Sequence, residues 1–265
     1  MESDSGSLKG TIELRVGPRA TKLHVTVPRG DVELGAVLPV ARQMTEAVVK
    51  WAVTDAETAG KAISCRAGCG ACCRQPVPVG HAEARRLSRL VDEMPEPRRS
   101  AVRGRFEDAL VRLGKTDLLQ RQAALAAADT GGRPQDYYLE WCRDYFRLEL
   151  ACPFLEDESC SIHPERPLIC REYLVTSPAS ECASLSCDNI RRVPIKASVF
   201  NAVRKLEHGS GLGHWMPLVT ALKWAPFAGK IEPRAALDWV RSLQQFLGRN
   251  AESGSGSGPV VAPND

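Results

Sequence analysis

Four cysteines, Cys65, Cys69, Cys72 and Cys73, stand within nine residues in the stretch "CRAGCGACC", the last two adjacent. A second group follows in "CPFLEDESCSIHPERPLICREY", which supplies Cys152, Cys160, His163 and Cys170, with Cys182 and Cys187 beyond it. Chance packing of small apolar residues does not call for four thiols in one turn. Thiolate is the soft donor that zinc and iron-sulfur clusters take, and gaps of two and three residues let successive sulfurs curl around a metal. Gly68 and Gly70 permit the tight turns that this requires. Adjacent side chains usually diverge, so Cys72 and Cys73 are not expected to give both sulfurs to one mononuclear ion; one of them would face a cluster or a second metal. His163, followed by Pro164, is either a nitrogen ligand or a turn residue. Cys182 and Cys187, in the serine-rich "SPASECASLSC", either complete a site or are reactive exposed thiols. Cys142 in "YYLEWCRDY" keeps helical spacing with Tyr138 and Tyr145 and reads as a core residue.

Arg166 and Arg171 belong to the same constellation. Several thiolates together carry excess negative charge, which guanidinium groups can offset while donating hydrogen bonds to sulfur. Both are therefore candidate cofactor-binding residues, the alternative being surface ion pairs with Glu165 or Glu172. Pro167 fixes its own φ and stiffens the approach to Cys170. The donors leave the metal open. Zinc takes four N/S ligands and an iron-sulfur cluster takes four cysteines, so the available thiols allow one cluster with spare sulfurs or two zinc sites.

The elements that position these residues follow from periodicity. Ile12, Leu14 and Val16, then Leu23, Val25 and Val27, alternate around "GPRA" and predict a two-stranded hairpin, which must lie on something else to be stable. Val40, Met44, Ala47, Val48, Trp51 and Ala52 predict a helix over residues 38–59 that delivers the chain to Cys65. Pro76 and Pro78 hold "RQPVPVG" extended, and a helix is expected over 81–94. Two more, broken near Gly114 and ended by Gly131-Gly132, and another over 135–150 make a helical insert between the cysteine groups. Three further helices are expected over 196–207, 216–224 and 232–247, with Pro217 and Pro233 near first-turn positions and Gly209 and Gly248 as C-caps. The fold class is mainly α: a helical domain organised around a Cys-rich metal centre, with a short N-terminal β-hairpin. The divisions are a disordered start (1–10), hairpin plus helix (11–60), the cysteine domain with its insert (61–192), C-terminal helices (193–250) and a flexible tail (251–265).

At the cysteine blocks the chain resembles the YkgJ-type cysteine-cluster family, to which zinc or iron chelation is ascribed. The resemblance rests on "CRAGCGACC", "CPFL" and "CSIHPERPLICREY", including Arg166, Pro167, Cys170, Arg171 and Tyr173, and covers residues 65–173. It implies metal ligation by Cys69, Cys72, Cys73, Cys152, Cys160 and Cys170, with Cys65 as the opening cysteine. The first gap is three residues where the family has two, and His163 stands where it often has tyrosine. The cysteine block is also similar to that of the flagellin lysine N-methylase, which implies an iron-sulfur cluster by analogy.

Composition narrows the function classes. With 43% hydrophobic and 25% charged residues the chain is an ordinary globular protein. A net charge of +3 over 265 residues argues against a dedicated nucleic-acid binder. Apolar runs stay far below the ~20 residues that span a bilayer. "MESDSGSLKG" lacks a signal pattern, so a cytoplasmic setting with reduced thiols is expected. "HGSGLGHW" fits neither nucleotide-loop pattern, "RRSAVRGR" reads as a solvated helix face, and G-x-S-x-G and H-E-x-x-H are absent. Catalysis thus rests on the metal or does not occur. The implied partner is a metal ion, with no nucleic acid and no membrane. Three classes remain: a metal-binding protein with a structural or redox centre, an iron-sulfur enzyme, and a metal-handling chaperone.

Overall fold

A computed structural model of the chain describes residues 6–128, 135–183, 189–208, 215–227 and 231–252. The protein is mainly helical with an N-terminal hairpin. Strands β1 (Ser7–Val16) and β2 (Arg19–Pro28) pair antiparallel from Ser7↔Pro28 to Val16↔Arg19. The two-residue loop Gly17-Pro18 puts Gly17 at φ 56°, a value glycine adopts without strain. The hairpin begins at Ser7 rather than Thr11. Residues 7–10, expected to be disordered, find backbone partners in Val25–Pro28, and Leu8 packs on the core.

Leu14, Val16, Val25 and Val27 form the buried face of the hairpin. It lies on α1 (Leu38–Thr58) and on the last helix, α9 (Ala236–Glu252), in one core with Leu34, Met44, Val48, Trp239 and Leu243. Trp239 donates its indole N–H to Val32 O at 2.9 Å, and Arg234 lies over the same ring at 3.5 Å. Just before α9, β8 (Arg234–Ala235) pairs with β3 (Asp31–Val32). The helix expected from residue 232 therefore starts at Ala236, and it runs through Gly248, the expected cap, to Glu252.

The insert comprises α2 (His81–Asp92), α3 (Arg98–Leu113), α4 (Leu118–Ala128) and α5 (Gln135–Arg147). Its apolar faces meet in two clusters, one around Val91, Val102, Phe106 and Phe154, the other around Leu113, Leu118, Trp141, Cys142 and Tyr145. Gly131, Gly132 and Gly209, expected helix ends, lie outside the described residues, as does the 253–265 tail. Residues 216–224 do not make a single helix: β7 (Met216–Pro217) pairs with β4 (Pro78–Val79), a 3-10 turn follows over Leu218–Thr220, and α8 (Ala221–Trp224) is one turn long. The extended "RQPVPVG" offers backbone partners that a helix would leave unused; Leu218 N–H bonds Val77 O at 2.8 Å. Among the described residues no helix is long and apolar enough to cross a membrane.

Three buried carboxylates close a cycle among the helices that carry the site. Glu207, at the end of α7 (Val199–His208), accepts the N–H groups of His81 and Ala82 at the start of α2, at 3.1 and 2.7 Å. Glu83 on α2 accepts Leu168 N–H, at 2.8 Å, at the start of α6 (Leu168–Glu172). Glu172 on α6 accepts Val199 and Phe200 N–H at 2.8 and 3.0 Å, and Ser198 Oγ at 2.6 Å, at the start of α7. Each carboxylate satisfies N–H groups that a helix start leaves without intrahelical partners. Burial, the largest influence, pushes all three carboxyls up to about 7. The cycle fixes α6, and α6 carries Cys170.

Candidate metal centre

The first cysteine loop is held by backbone ties rather than by a long element. Ser64 N–H bonds Val175 O at 2.9 Å, and Val175 N–H returns to Cys65 Sγ at 3.4 Å. Gly68 takes φ 78°, the positive value a turn glycine supplies. Gly70 serves a different purpose. Its φ is an ordinary −99°, but a Cβ there would come 2.5 Å from Leu155 Cδ1 and 2.6 Å from Glu158 O, so glycine lets the second cysteine segment approach.

Cys72 and Cys73 sit in a 3-10 turn, Ala71–Arg74. Their thiols share a hydrogen bond, Cys73 donating to Cys72, and both line the same cavity. The expected divergence does not occur. Consecutive side chains are opposed in a strand, whereas a turn of three residues separates them by a third of a revolution.

The second segment is a hairpin, β5 (Leu155–Glu156) and β6 (Ser159–Cys160), whose loop residues Asp157 and Glu158 both have positive φ, 48° and 56°. Cys152 N–H bonds Cys73 O at 2.7 Å, and Arg74 forks onto both oxygens of Glu158 at 2.9 and 2.5 Å. From α3, Arg105 reaches Pro153 O at 2.9 Å and Glu156 at 3.1 Å, and Arg98 reaches Ser161 O at 3.0 Å. The basic run read as a solvated face thus clamps the hairpin, because residues seven apart share one side of a helix. Phe154 packs edge-on against Phe106, ring centroids 5.5 Å apart. The N–H groups of Phe154 and Ile162 donate to the sulfurs of Cys152 and Cys160, each two residues back.

Cys69, Cys72, Cys73, Cys152, Cys160 and Cys170 line one cavity of about 100 Å³, with Arg66, His163, Arg166, Tyr173 and Arg192 on its walls. Cys65 is not in that lining; it packs with Cys72, Tyr173, Val175, Ile190 and the buried Cys182. Cys142 is buried with Trp141 and Tyr145 in a separate cluster, as a core residue. Cys187 lies outside the described residues. Among the described residues no three His, Cys, Asp or Glu side chains converge closely enough to hold one ion as they stand.

The protonation pattern shows what the gathered thiols lack. Burial, reinforced by neighbouring thiols, pushes Cys170 far up, Cys152 up to about 12 and Cys182 up to about 11, and raises Cys65 and Cys160 as well. For Cys73, whose pKa is raised, the largest influence is its hydrogen bond to Cys72, followed by burial. Cys72 is lowered to about 7 by that hydrogen bond, with help from Arg166. Apart from Cys72, the shifted thiols are pushed toward the protonated form, and a cation would supply the compensating charge that favours thiolate, which is the condition under which metal binding releases protons.

The arginines divide. Arg166 lines the cavity, and its charge favours the thiolates of Cys65, Cys72 and Cys160. Its buried Nε has no hydrogen-bond partner among the described residues, a free donor beside sulfurs that gain charge on ligation. Arg171 does not line the cavity. It donates to Arg166 O at 3.1 Å, to Pro164 O and to Glu46 at 3.0 Å, bracing the loop that carries Arg166. Its expected partners Glu165 and Glu172 are engaged elsewhere, Glu165 with Arg42 and Arg86. Directly after Cys170 on a helix, its side chain points about 100° away from the cysteine. His163 stands largely exposed at the cavity wall, and partial desolvation together with the charges of Arg166 and Arg171 shifts its imidazole below the ordinary histidine value.

Residues 64–189 match the model of the CxxCxxCC family, described as a "putative zinc- or iron-chelating domain". Over these residues the chain carries a domain similar to this cysteine-cluster family. No curated protein and no solved structure gives a significant match. The matched stretch of the cysteine-cluster domain begins beside Cys65 and extends past Cys182. An all-sulfur donor set beside an unsatisfied guanidinium N–H fits the thiophilic metals of that description.

Proposed function

We propose that the protein is a cytoplasmic metal-binding protein whose cysteine cavity holds zinc or iron, an iron-sulfur cluster included, as a resident structural or redox centre. The observation that carries this reading is the meeting of six cysteines, from stretches on either side of a helical insert, around one cavity. The metal would supply the positive charge that stabilises the thiolates. The chain's own residues supply the rest: N–H groups donating to Cys65, Cys152 and Cys160, and Arg166 offsetting residual negative charge.

Two narrower readings differ in support. An iron-sulfur enzyme is favoured by the exposed Arg66 and His163 at the cavity wall, which leave it unsealed; binding of S-adenosylmethionine would support it. A metal-delivering chaperone calls for labile, exposed ligation, and Cys182 is only 3% exposed. Purification without oxygen, followed by metal and acid-labile sulfide per chain and a visible spectrum, tests the reading. Iron with sulfide and absorption near ~400 nm supports the cluster, zinc without colour supports a closed structural site, and a metal-free folded protein overturns the proposal.

A further inference from the structure

We infer that the thiols form two single-metal sites that meet at Cys72, with Cys182 a ligand of the second. This rests on the metal-centre reading above and divides it. The first set is Cys73, Cys152, Cys160 and Cys170. All four line the cavity, Cys152 is tied through its N–H to Cys73 O, Cys160 lies opposite Leu155 in the short hairpin, and Cys170 is set by the carboxylate cycle. The second set is Cys65, Cys69, Cys72 and Cys182. Cys65 and Cys182 are outside the cavity lining and pack with Cys72 against Val175 and Ile190, away from the hairpin.

Separate ties hold this second side. Val175 N–H bonds Cys65 Sγ, and Gln75 donates to Tyr173 Oη and Cys182 O, each at 3.1 Å, which docks the turn over Ala179–Ala183 on that over Ala71–Arg74. Cys69 also touches the cavity wall and Cys72 bonds Cys73, so the two sites adjoin. Four thiolates apiece is the complement of a closed tetrahedral site. A single mononuclear site would leave four buried or half-buried thiols gathered without a role.

The test is metal and sulfide content of the full chain, natural and substituted. The natural protein is expected to hold about two zinc or iron ions per chain without acid-labile sulfide. Cys182→Ser should lose about half the metal and keep its fold by circular dichroism, and Cys160→Ser should lose the other half. A metal-free natural protein overturns the metal-centre reading itself. One ion per chain, stoichiometric sulfide, or a folded Cys182→Ser protein with all or none of its metal overturns the two-site inference and leaves that reading standing. Should the variants not fold, cadmium exchanged into the natural protein decides: two resonances with four-sulfur shifts are expected, and one overturns the inference.

Discussion

The layer formed by the hairpin, α1 and α9 and the segment that carries the cysteines are built on different principles. In the first, Leu14, Leu34, Met44, Trp239 and Leu243 are fully buried, and helices of 21 and 17 residues supply long continuous faces. In the second, the elements around Cys65 to Cys73 and Cys152 to Cys160 are two-residue strands and single turns, and none of those cysteines is fully buried. Its polar ties are partly exposed ion pairs such as Arg74 with Glu158 and Arg105 with Glu156. Exposed pairs contribute about 0–1 kcal/mol each, against roughly 1.5–3 kcal/mol for one buried Leu or Met side chain. The first region holds itself together by burial, whereas the second is gathered around a cavity and depends on what fills it.

The largest effect expected from that contrast belongs to the ligands. Cys73→Ser and Cys170→Ser should lose metal and melt far below the natural protein, because binding energy coupled to folding is removed. Cys142→Ser, in its own apolar cluster, should keep full metal content. Metal analysis beside thermal melts reads both, and equal retention in all three would break the contrast.

A core truncation should act the other way round. Trp239→Ala is expected to cost about 3–5 kcal/mol in denaturant unfolding and to leave metal per chain unchanged in the folded fraction. Metal loss from folded Trp239→Ala protein would show that the two regions are not separable.

Gly70→Ala pushes a methyl group against Leu155 and the Glu158 carbonyl. We expect about 1–3 kcal/mol of destabilisation together with weaker metal retention during chelator competition. Unchanged retention would detach the close approach from the site.

The smallest effect concerns the carboxylate cycle. The Glu207 carboxyl is raised from 4.5 to about 7, so between those values the folded state binds more protons than the unfolded chain. Its contribution is therefore fully present below pH 4.5 and is lost as pH rises toward about 7. Glu207→Gln should flatten that part of the stability profile, whereas Glu207→Ala should cost about 1–3 kcal/mol by leaving the N–H groups of His81 and Ala82 unpaired. An unaltered profile in Glu207→Gln would show that this carboxyl titrates normally.

Much of the first region was legible in the sequence, because hairpin alternation and the α1 spacing are local signals. The boundaries at Met216 and Arg234 were not, since two-residue strands exist only through distant partners at Pro78 and Asp31. At the site, residue type and spacing marked the cysteines as a constellation. The convergence of Cys72 and Cys73 depended on a 3-10 turn that spacing does not specify, and the direction of Arg171 depended on the phase of a five-residue helix. Arg98 and Arg105 looked like solvent-facing charges until the acidic hairpin was brought against them.

Regional hydrogen exchange, with and without a strong chelator under reducing conditions, measures the contrast most directly. The account predicts that chelation strips protection from residues 64–79 and 151–175 while the hairpin, α1 and α9 stay protected. Unchanged protection in the cysteine segments after the metal is gone, or uniform loss across the whole chain, would contradict it.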